Sequence, residues 1–272
     1  MRRPVVEPAW PESWRTSYDF DRSEVFGEQR RSGHAVAYDR RRGMALAAAQ
    51  DVAPVGARVL DVAAAQGNFT LALAEAGYCV TWNDLREDLV GYVQLKHEHG
   101  DIEFLPGNIY DLEPEAPFDL VLMTEIIEHV AHPDRFLTRA ADLVRPGGQI
   151  VLTTPNGQYW RNRLPRFSEC EDPSQFESIQ FKPDADGHIF LLHADELQAL
   201  AAAAGLEVTN LSLFTNSLTA GHVKLRHLLR ILPPPLVHAV EELTTSSSPG
   251  WFRRRVNTQM TATLRRPAMP GR

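Results

Sequence analysis

The sequence predicts an α/β fold in which helices cover both faces of a doubly wound, mostly parallel sheet. Five short apolar runs alternate with amphipathic, helix-like runs between residues 58 and 153. Several of these runs, such as FDLVLM at 118–123, are almost continuously apolar, which is typical of strands buried on both faces. Two further strand-like runs, at 206–213 and 257–264, extend the predicted sheet to seven strands.

The order of elements follows from this alternation. Strands are predicted at 58–63, 79–83, 102–105, 118–123 and 149–153, with helices near 68–76, 86–99 and 133–144. A later helix at 194–204 ends at Gly205, a residue favoured just after a helix. Good helix formers fill 25–53, whereas residues 1–24 are rich in Pro, Trp and charge without periodicity. We expect those first residues to form a loosely attached arm.

These elements divide the chain into three parts. Residues 1–54 form an N-terminal arm with helices, and 55–213 together with 256–266 form the Rossmann-like core. Within the core, 155–187 is an aromatic-bearing insertion, and 214–255 is an inserted helical cap. Because ligands in doubly wound folds bind at the carboxyl ends of the strands, we expect both insertions to lie there and to form an acceptor pocket.

Composition limits the possible partners. The 272 residues carry a net charge of −7, which disfavours binding through nucleic-acid phosphates and leaves a small molecule as the expected partner. The two cysteines form no paired pattern, which favours a reducing, cytoplasmic setting. No apolar run approaches membrane-spanning length and the N-terminus lacks a signal-peptide pattern, so we expect no membrane partner. The oligomeric state is left open.

A small-residue loop follows the first strand, in RVLDVAAAQGNF. Asp61 stands near the strand tip, and Ala63 and Gly67 belong to a loop whose backbone can approach a ligand closely. This pattern resembles the signature of class I S-adenosylmethionine-dependent methyltransferases, an acidic residue followed by alternating glycines. Ala63 and Ala65 stand where that family usually has glycine. Since alanine disfavours positive φ, we expect ordinary φ values at both.

The resemblance implies further cofactor contacts at the ends of the next strands. Asp84, in WNDL, stands where an acid binds both ribose hydroxyls, and Leu85 can pack on the adenine. Asn108 and Ile109 resemble the family's adenine-contact position, and Thr124 closes the fourth strand. Dehydrogenases also place an acid after the second strand, but their pyrophosphate requires GxGxxG, which AxAxG does not match. The implied cofactor is therefore S-adenosylmethionine.

The fourth strand runs into TEIIEHV, which suggests a metal site. On a helix, Glu125, Glu128 and His129 would stand at i, i+3 and i+4 and converge on one face. The motif resembles that of metal-dependent small-RNA 2′-O-methyltransferases and ubiquinone-pathway catechol O-methyltransferases, in which a later histidine completes the site. His188, in GHIF, resembles that ligand. These side chains suit Mg, Mn, Fe or Zn; the alternative is an acid-rich helix start.

The chemistry implied is methyl transfer to a hydroxyl. We take Glu128 and His129 as catalytic residues through the metal, and His193, in LLHADEL, as a candidate base or a helix-start residue. A bound divalent cation lowers the pKa of a coordinated hydroxyl, which favours O-methylation of a vicinal diol, catechol or sugar. Two alternatives stay open: an RNA 3′-end 2′-O-methyltransferase, and a catalytically silent methyltransferase-like binding module.

Overall fold

The fold is described from a computed structural model that covers residues 1–28, 33–180, 187–219, 232–246 and 248–268. Its strands are β1 (Arg58–Val62), β2 (Cys79–Asn83), β3 (Asp101–Phe104), β4 (Phe118–Thr124), β5 (Val144–Pro155), β6 (Glu207–Asn216) and β7 (Asn257–Arg265). They form one sheet in the order β3-β2-β1-β4-β5-β7-β6. The first five strands pair in parallel, and β7 runs antiparallel to both of its neighbours. The predicted seven-stranded, mostly parallel sheet is confirmed.

Helices cover both faces of this sheet. They are α1 (Glu12–Glu24), α2 (Gly33–Val52), α3 (Asn68–Glu75), α4 (Leu89–Lys96), α5 (Pro133–Leu143), α6 (Ala194–Ala203), α7 (Pro234–Thr245) and α8 (Gly250–Val256). Successive side chains of a strand point to opposite faces, so β4 supplies both cores. Its Val121 and Met123 join a cluster with α5 and α6, whereas Leu120 and Leu122 join one with α2 and α3. Such burial on both faces explains the near-continuous apolar run of this strand.

The N-terminal segment is docked on the domain, which corrects the expectation of a loosely attached arm. Trp10 is only 6% exposed and makes edge-to-face ring contacts with Trp14, Tyr18 and Tyr92. The indole nitrogen of Trp14 donates a hydrogen bond to the carbonyl of Asp88, at 2.7 Å. Aromatic packing therefore attaches a segment whose sequence shows no periodicity, which is why the pattern alone suggested an unattached arm.

The two predicted insertions leave the sheet at the carboxyl ends of strands. Residues 156–187 follow the end of β5, and residues 217–256 connect the end of β6 to β7. The two segments touch, because the backbone amide of Trp160 donates to the carbonyl of Arg255, at 3.0 Å. Residues 181–186 and 220–231 lie outside the described residues, so the division into core, insertion and cap stays a prediction. Among the helices that the structure describes, none is long and apolar enough to cross a membrane.

Candidate active site

A cleft of about 370 Å3 opens where the chain order reverses between β1 and β4. Such reversal points leave a crevice at the carboxyl ends of the strands. Six of the eight predicted cofactor-contact residues line this cleft: Ala63, Asp84, Leu85, Asn108, Ile109 and Thr124. The cleft therefore lies where the sequence placed the cofactor, and the loop after β1 forms its floor.

The loop backbone differs from expectation at its two alanines. Ala63 and Ala65 have φ values of 53° and 50°, so the predicted ordinary φ values are wrong. The loop is held in this shape by hydrogen bonds. The backbone amide of Ala64 donates to the carbonyl of Asn83, at 2.9 Å, and that of Ala65 to the Asp84 carboxylate, at 2.8 Å. Left-handed alanine costs roughly 1–2 kcal/mol per residue, so these contacts offset strain that glycine would avoid.

Two predicted cofactor residues lie behind the loop instead of lining the cleft. Gly67 has φ 73°, and a Cβ there would stand 2.8 Å from a methyl group of Val93, so glycine permits close packing on α4. Asp61 is fully buried and accepts a hydrogen bond from the Thr70 hydroxyl, at 2.6 Å. Burial, helped by the charge of Asp84, raises the pKa of Asp61 to about 7. Both residues support the loop from the inside.

Asp84 faces the cleft, but both of its oxygens already accept hydrogen bonds. Besides the amide of Ala65, the carboxylate accepts from the backbone amide of Arg86, at 2.9 Å, and from the Arg86 Nε, at 3.0 Å. A ligand that used both carboxylate oxygens would have to displace the Arg86 side chain, which also lines the cleft. The sequence did not single out Arg86, because an arginine after a strand is an ordinary surface residue.

The N-terminal helices contribute a wall of the cleft that the sequence analysis missed. Glu24 of α1 and Tyr38 and Arg41 of α2 all line it. The guanidinium of Arg41 donates to the Glu125 carboxylate, at 3.0 Å, and lies over the Tyr38 ring, 5.4 Å from its centroid. In the sequence Arg41 belongs to a run of three arginines, a pattern more typical of a solvated face.

Three predicted metal ligands come together beside the cleft. Glu128, His129 and His188 each offer a ligand atom, and these atoms lie within 4.8 Å of one another. The residues 127–129 form one turn of 3-10 helix, and the backbone amide of Ile189 donates to the carbonyl of Glu128, at 2.8 Å, which holds His188 alongside. Glu128 is fully buried, and its Oε1 has no hydrogen-bond partner among the described residues. We call these three residues the ligand trio.

Glu125 is separate from the ligand trio, which corrects the predicted four-residue set. The motif does not form one helical face, because Glu125 precedes the 3-10 turn and has φ 53°. Its carboxylate instead accepts a hydrogen bond from Arg41, and both residues line the cleft. Convergence of all four side chains requires continuous helix from Glu125 to His129, and the left-handed backbone at Glu125 interrupts it.

A family model described as "Methyltransferase domain" matches residues 29–211. The chain belongs to this methyltransferase-domain family. Ubiquinone biosynthesis O-methyltransferase from Dechloromonas aromatica is 36% identical to it over 111 residues, 39% of this chain and 48% of that protein. The protein of the same name from Xanthomonas euvesicatoria is 37% identical over 105 residues, 37% of this chain and 44% of that protein. Each match thus spans less than half of the relative's length.

Solved structures share the fold of this methyltransferase-family chain. An S-adenosylmethionine-dependent methyltransferase from Mesorhizobium loti has a TM-score of 0.56 and 16% identity, covering 85% of this chain and 98% of that one. The N-methyltransferase NodS from Bradyrhizobium japonicum, solved with S-adenosylhomocysteine, has a TM-score of 0.52 and 12% identity, covering 94% and 100%. The predicted methyltransferase fold and family are confirmed by these findings.

Burial within the ligand trio favours the neutral forms of Glu128 and His188. Burial and the nearby charge of Glu125 raise the pKa of Glu128 well above its ordinary value. Burial and the neighbouring His129 lower the pKa of His188. An added cation would reverse the first effect and favour the charged carboxylate of Glu128, while a neutral His188 imidazole is already suited to coordinate it.

His193, the third predicted catalytic residue of this methyltransferase, lies at the start of α6. Its backbone amide donates to the Glu196 carboxylate, at 2.9 Å, as expected for the residue that caps the start of a helix. In the described part of the chain it belongs neither to the cleft lining nor to the ligand trio. The structure therefore supports the helix-start alternative for His193 over the role of a base.

Proposed function

We propose that this chain is an S-adenosylmethionine-dependent O-methyltransferase that acts on a hydroxyl of a small molecule with the help of a divalent cation. One observation carries this proposal: His129 lines the cofactor cleft and also belongs to the ligand trio. A methyl donor in the cleft and an acceptor oxygen at the trio would then lie on two sides of one imidazole. Methyl transfer needs this proximity, because the nucleophile must approach the sulfonium carbon in line.

The cleft supports an adenosyl cofactor. Asp84 would receive the ribose hydroxyls once Arg86 moves aside, and the adenine would lie against Leu85, Asn108 and Ile109, which line the cleft. On the opposite side, Thr124 and Glu125 lead from the cleft toward the trio. The methionine end of the cofactor would extend in that direction, which brings the transferable methyl group close to the trio.

The ligand trio fits a divalent cation in its donor atoms. One carboxylate and two imidazoles suit Mg, Mn, Fe or Zn and leave coordination positions for an acceptor. Within the part of the chain that the structure describes, the buried Glu128 Oε1 has no hydrogen-bond partner, which is costly unless a ligand or a proton satisfies it. When bound, such a cation supplies the charge that lowers the pKa of an acceptor hydroxyl.

The chain's own residues would position the acceptor and exclude water. Thr154 donates to Glu128, at 3.0 Å, and fixes the orientation of its carboxylate. The Ile189 amide keeps the His188 segment in place. The names of the ubiquinone biosynthesis relatives support O-methylation of a small acceptor, and the net charge of −7 disfavours RNA. Catechols, vicinal diols and sugars are the acceptor classes proposed.

An acceptor panel with isotopically labelled S-adenosylmethionine tests this function. Catechols, vicinal-diol sugars and RNA with a free 3′ end would be incubated with the full chain in the presence of Mg, Mn, Fe or Zn. We expect label in a small hydroxylated acceptor and binding of S-adenosylhomocysteine by calorimetry. Label only in RNA would contradict the acceptor class, and cofactor binding without any transfer would favour the silent binding module.

A further inference from the structure

A buried polar cluster joins three helices behind the cleft. Asp21 of α1 accepts from the Lys96 Nζ at 2.6 Å, from the Tyr92 hydroxyl at 2.8 Å and from the Asn68 Nδ2 at 2.7 Å. The Lys96 Nζ also donates to the Asn68 Oδ1, at 2.7 Å. None of these four residues is more than 3% exposed. We call them the Asp21 cluster.

The Asp21 cluster fixes orientation more than it adds stability. Both charges of the Asp21–Lys96 pair are fully removed from water, and burial lowers the pKa of Lys96 despite the nearby carboxylate. A buried ion pair of this kind is often no more stabilising than apolar residues of similar volume. Removal of one partner, however, leaves the other charge buried without a counter-charge, which is strongly destabilising. The cluster therefore tolerates one arrangement of α1 against α3 and α4.

Two contacts of α1 reach the strained cofactor loop itself. Asn68 is the first residue of α3, directly after Gly67, and it lines the cleft. One helical turn after Asp21, Glu24 accepts a hydrogen bond from the Gln66 Nε2, at 3.2 Å. Helix α1 thus holds the residues on both sides of Gly67, next to the two left-handed alanines.

We propose that α1 is a brace that holds the cofactor loop in its binding conformation, with Asp21 as a positioning residue that acts through Asn68. The inference rests on the proposed cofactor. Ala63 and Ala65 adopt left-handed backbone that glycine would adopt without strain. Without α1, only the hydrogen bonds to Asn83 and Asp84 would oppose the backbone strain, and the loop would relax more readily toward ordinary φ values. Cofactor binding and docking of α1 are consequently linked, and each strengthens the other.

The first test measures S-adenosylhomocysteine affinity of the full chain by calorimetry. We expect Asp21→Asn to lower the affinity about tenfold, a typical coupling between two sites. Adding Ala63→Gly and Ala65→Gly to that variant should recover most of the lost affinity, because glycine needs no brace. If Asp21 contributed only to general stability, glycines in the loop would not restore the affinity. An affinity that stays low in the triple variant would therefore overturn the proposal.

A second variant covers the case in which Asp21→Asn does not fold. Asp21→Leu combined with Lys96→Met removes both charges and keeps the buried volume, so no charge is left buried without a partner and we expect this variant to fold. Its thermal midpoint should lie below that of the parent, because the buried Tyr92 hydroxyl loses its acceptor. Asn68 nevertheless loses both partners, and the affinity for S-adenosylhomocysteine should still fall. The matched control is Glu28→Gln, which alters an exposed pair with Arg22 on the same segment and should leave the affinity unchanged.

Hydrogen exchange provides the reciprocal measurement. S-adenosylhomocysteine should slow amide exchange in α1 of the parent, and this protection should be smaller in the double variant. Equal affinity for S-adenosylhomocysteine in the parent and the variants would overturn the role of α1 but not the proposed cofactor. Amide exchange in α1 that is the same with and without S-adenosylhomocysteine would do so too. No binding of S-adenosylhomocysteine by the parent would overturn the proposed cofactor and the brace with it.

Discussion

The imidazole rings of His129 and His188 meet edge to face, with centroids 4.9 Å apart, although β5 and the insertion separate the two residues in sequence. The two segments are joined beside this contact by backbone hydrogen bonds, from the Ile189 and Phe190 amides to the Glu128 carbonyl. The ligand trio is therefore assembled by tertiary structure, with two members on one 3-10 turn and the third brought from a distant loop. This arrangement predicts that its members act together.

Cation binding should depend on each member of the ligand trio. We expect His188→Ala and Glu128→Ala to lose high-affinity Mn2+ binding, measured by electron paramagnetic resonance, because two remaining ligands bind weakly. The affinity for S-adenosylhomocysteine should change by less than about threefold, since the adenosyl contacts come from other loops. His132→Ala, which alters a histidine paired with Glu177, is the matched control. Undiminished Mn2+ binding in both trio variants would refute the proposed metal site.

Removal of the Asp84 carboxylate should weaken cofactor binding. Asp84→Ala loses the charged hydrogen bonds to ribose, and we expect a cost of roughly 1.5–3 kcal/mol by calorimetry. Arg86→Ala should instead strengthen cofactor binding, because the Arg86 side chain is hydrogen-bonded to the Asp84 carboxylate in the free protein. That gain should not exceed about 1 kcal/mol, the worth of a partly exposed ion pair. Equal affinity of Asp84→Ala and parent would remove the ribose assignment.

Asp61 should make the protein less stable at neutral pH than in mild acid. The pKa of Asp61 in the folded protein, about 7, lies above its ordinary value of 3.8. The contribution of Asp61 to the free energy of unfolding is therefore fully present below pH 3.8 and is lost as the pH rises toward 7. The loss is at most about 4 kcal/mol, from a shift of about three pH units.

Urea unfolding of the ligand-free protein at pH 5 and pH 8 measures this effect. Asp61→Asn should remove it. Asp119→Asn is the control, because Arg145 and the Arg58 amide hold the pKa of Asp119 below its ordinary value of 3.8, so its contribution to stability is the same at pH 5 and at pH 8. Asp119 therefore contributes stability above its ordinary pKa and loses it as pH falls. A pH dependence in Asp61→Asn equal to that of the parent would contradict the account of Asp61.

Glycine should stabilise the cofactor loop at the left-handed positions only. Ala65→Gly relieves the strain of a φ of 50°. Glycine also raises the conformational entropy of the unfolded chain, which offsets part of this gain. We therefore expect the free energy of unfolding to rise by about 0.5–1 kcal/mol. Ala64→Gly is the matched control, since its φ is not positive, and it should lower stability. Chemical denaturation of both variants decides this, and a loss of stability in Ala65→Gly would show that the alanine is unstrained.

The sequence predicted the sheet well because apolar periodicity reports burial directly. The position of Asp84 and Thr124 at one edge of the sheet could be predicted from the strands, because parallel strands bring their carboxyl ends together. The φ values of Ala63 and Ala65 did not follow, because hydrogen bonds from distant residues overrode the local preference of alanine. Docking of α1 was missed for a related reason: Asp21 and Lys96 look like surface charges until their burial is known.

Turnover of a hydroxylated acceptor in excess chelator tests the central claim most directly. Labelled S-adenosylmethionine and the best acceptor of the panel would be followed with the parent, with and without chelator, and after addition of Mg, Mn, Fe or Zn. We predict that chelator abolishes methyl transfer, that a divalent cation restores it, and that S-adenosylhomocysteine affinity is unchanged throughout. Full turnover in excess chelator, together with near-parental rates in Glu128→Ala and His188→Ala, would contradict metal-assisted O-methylation and leave proximity alone as the source of catalysis.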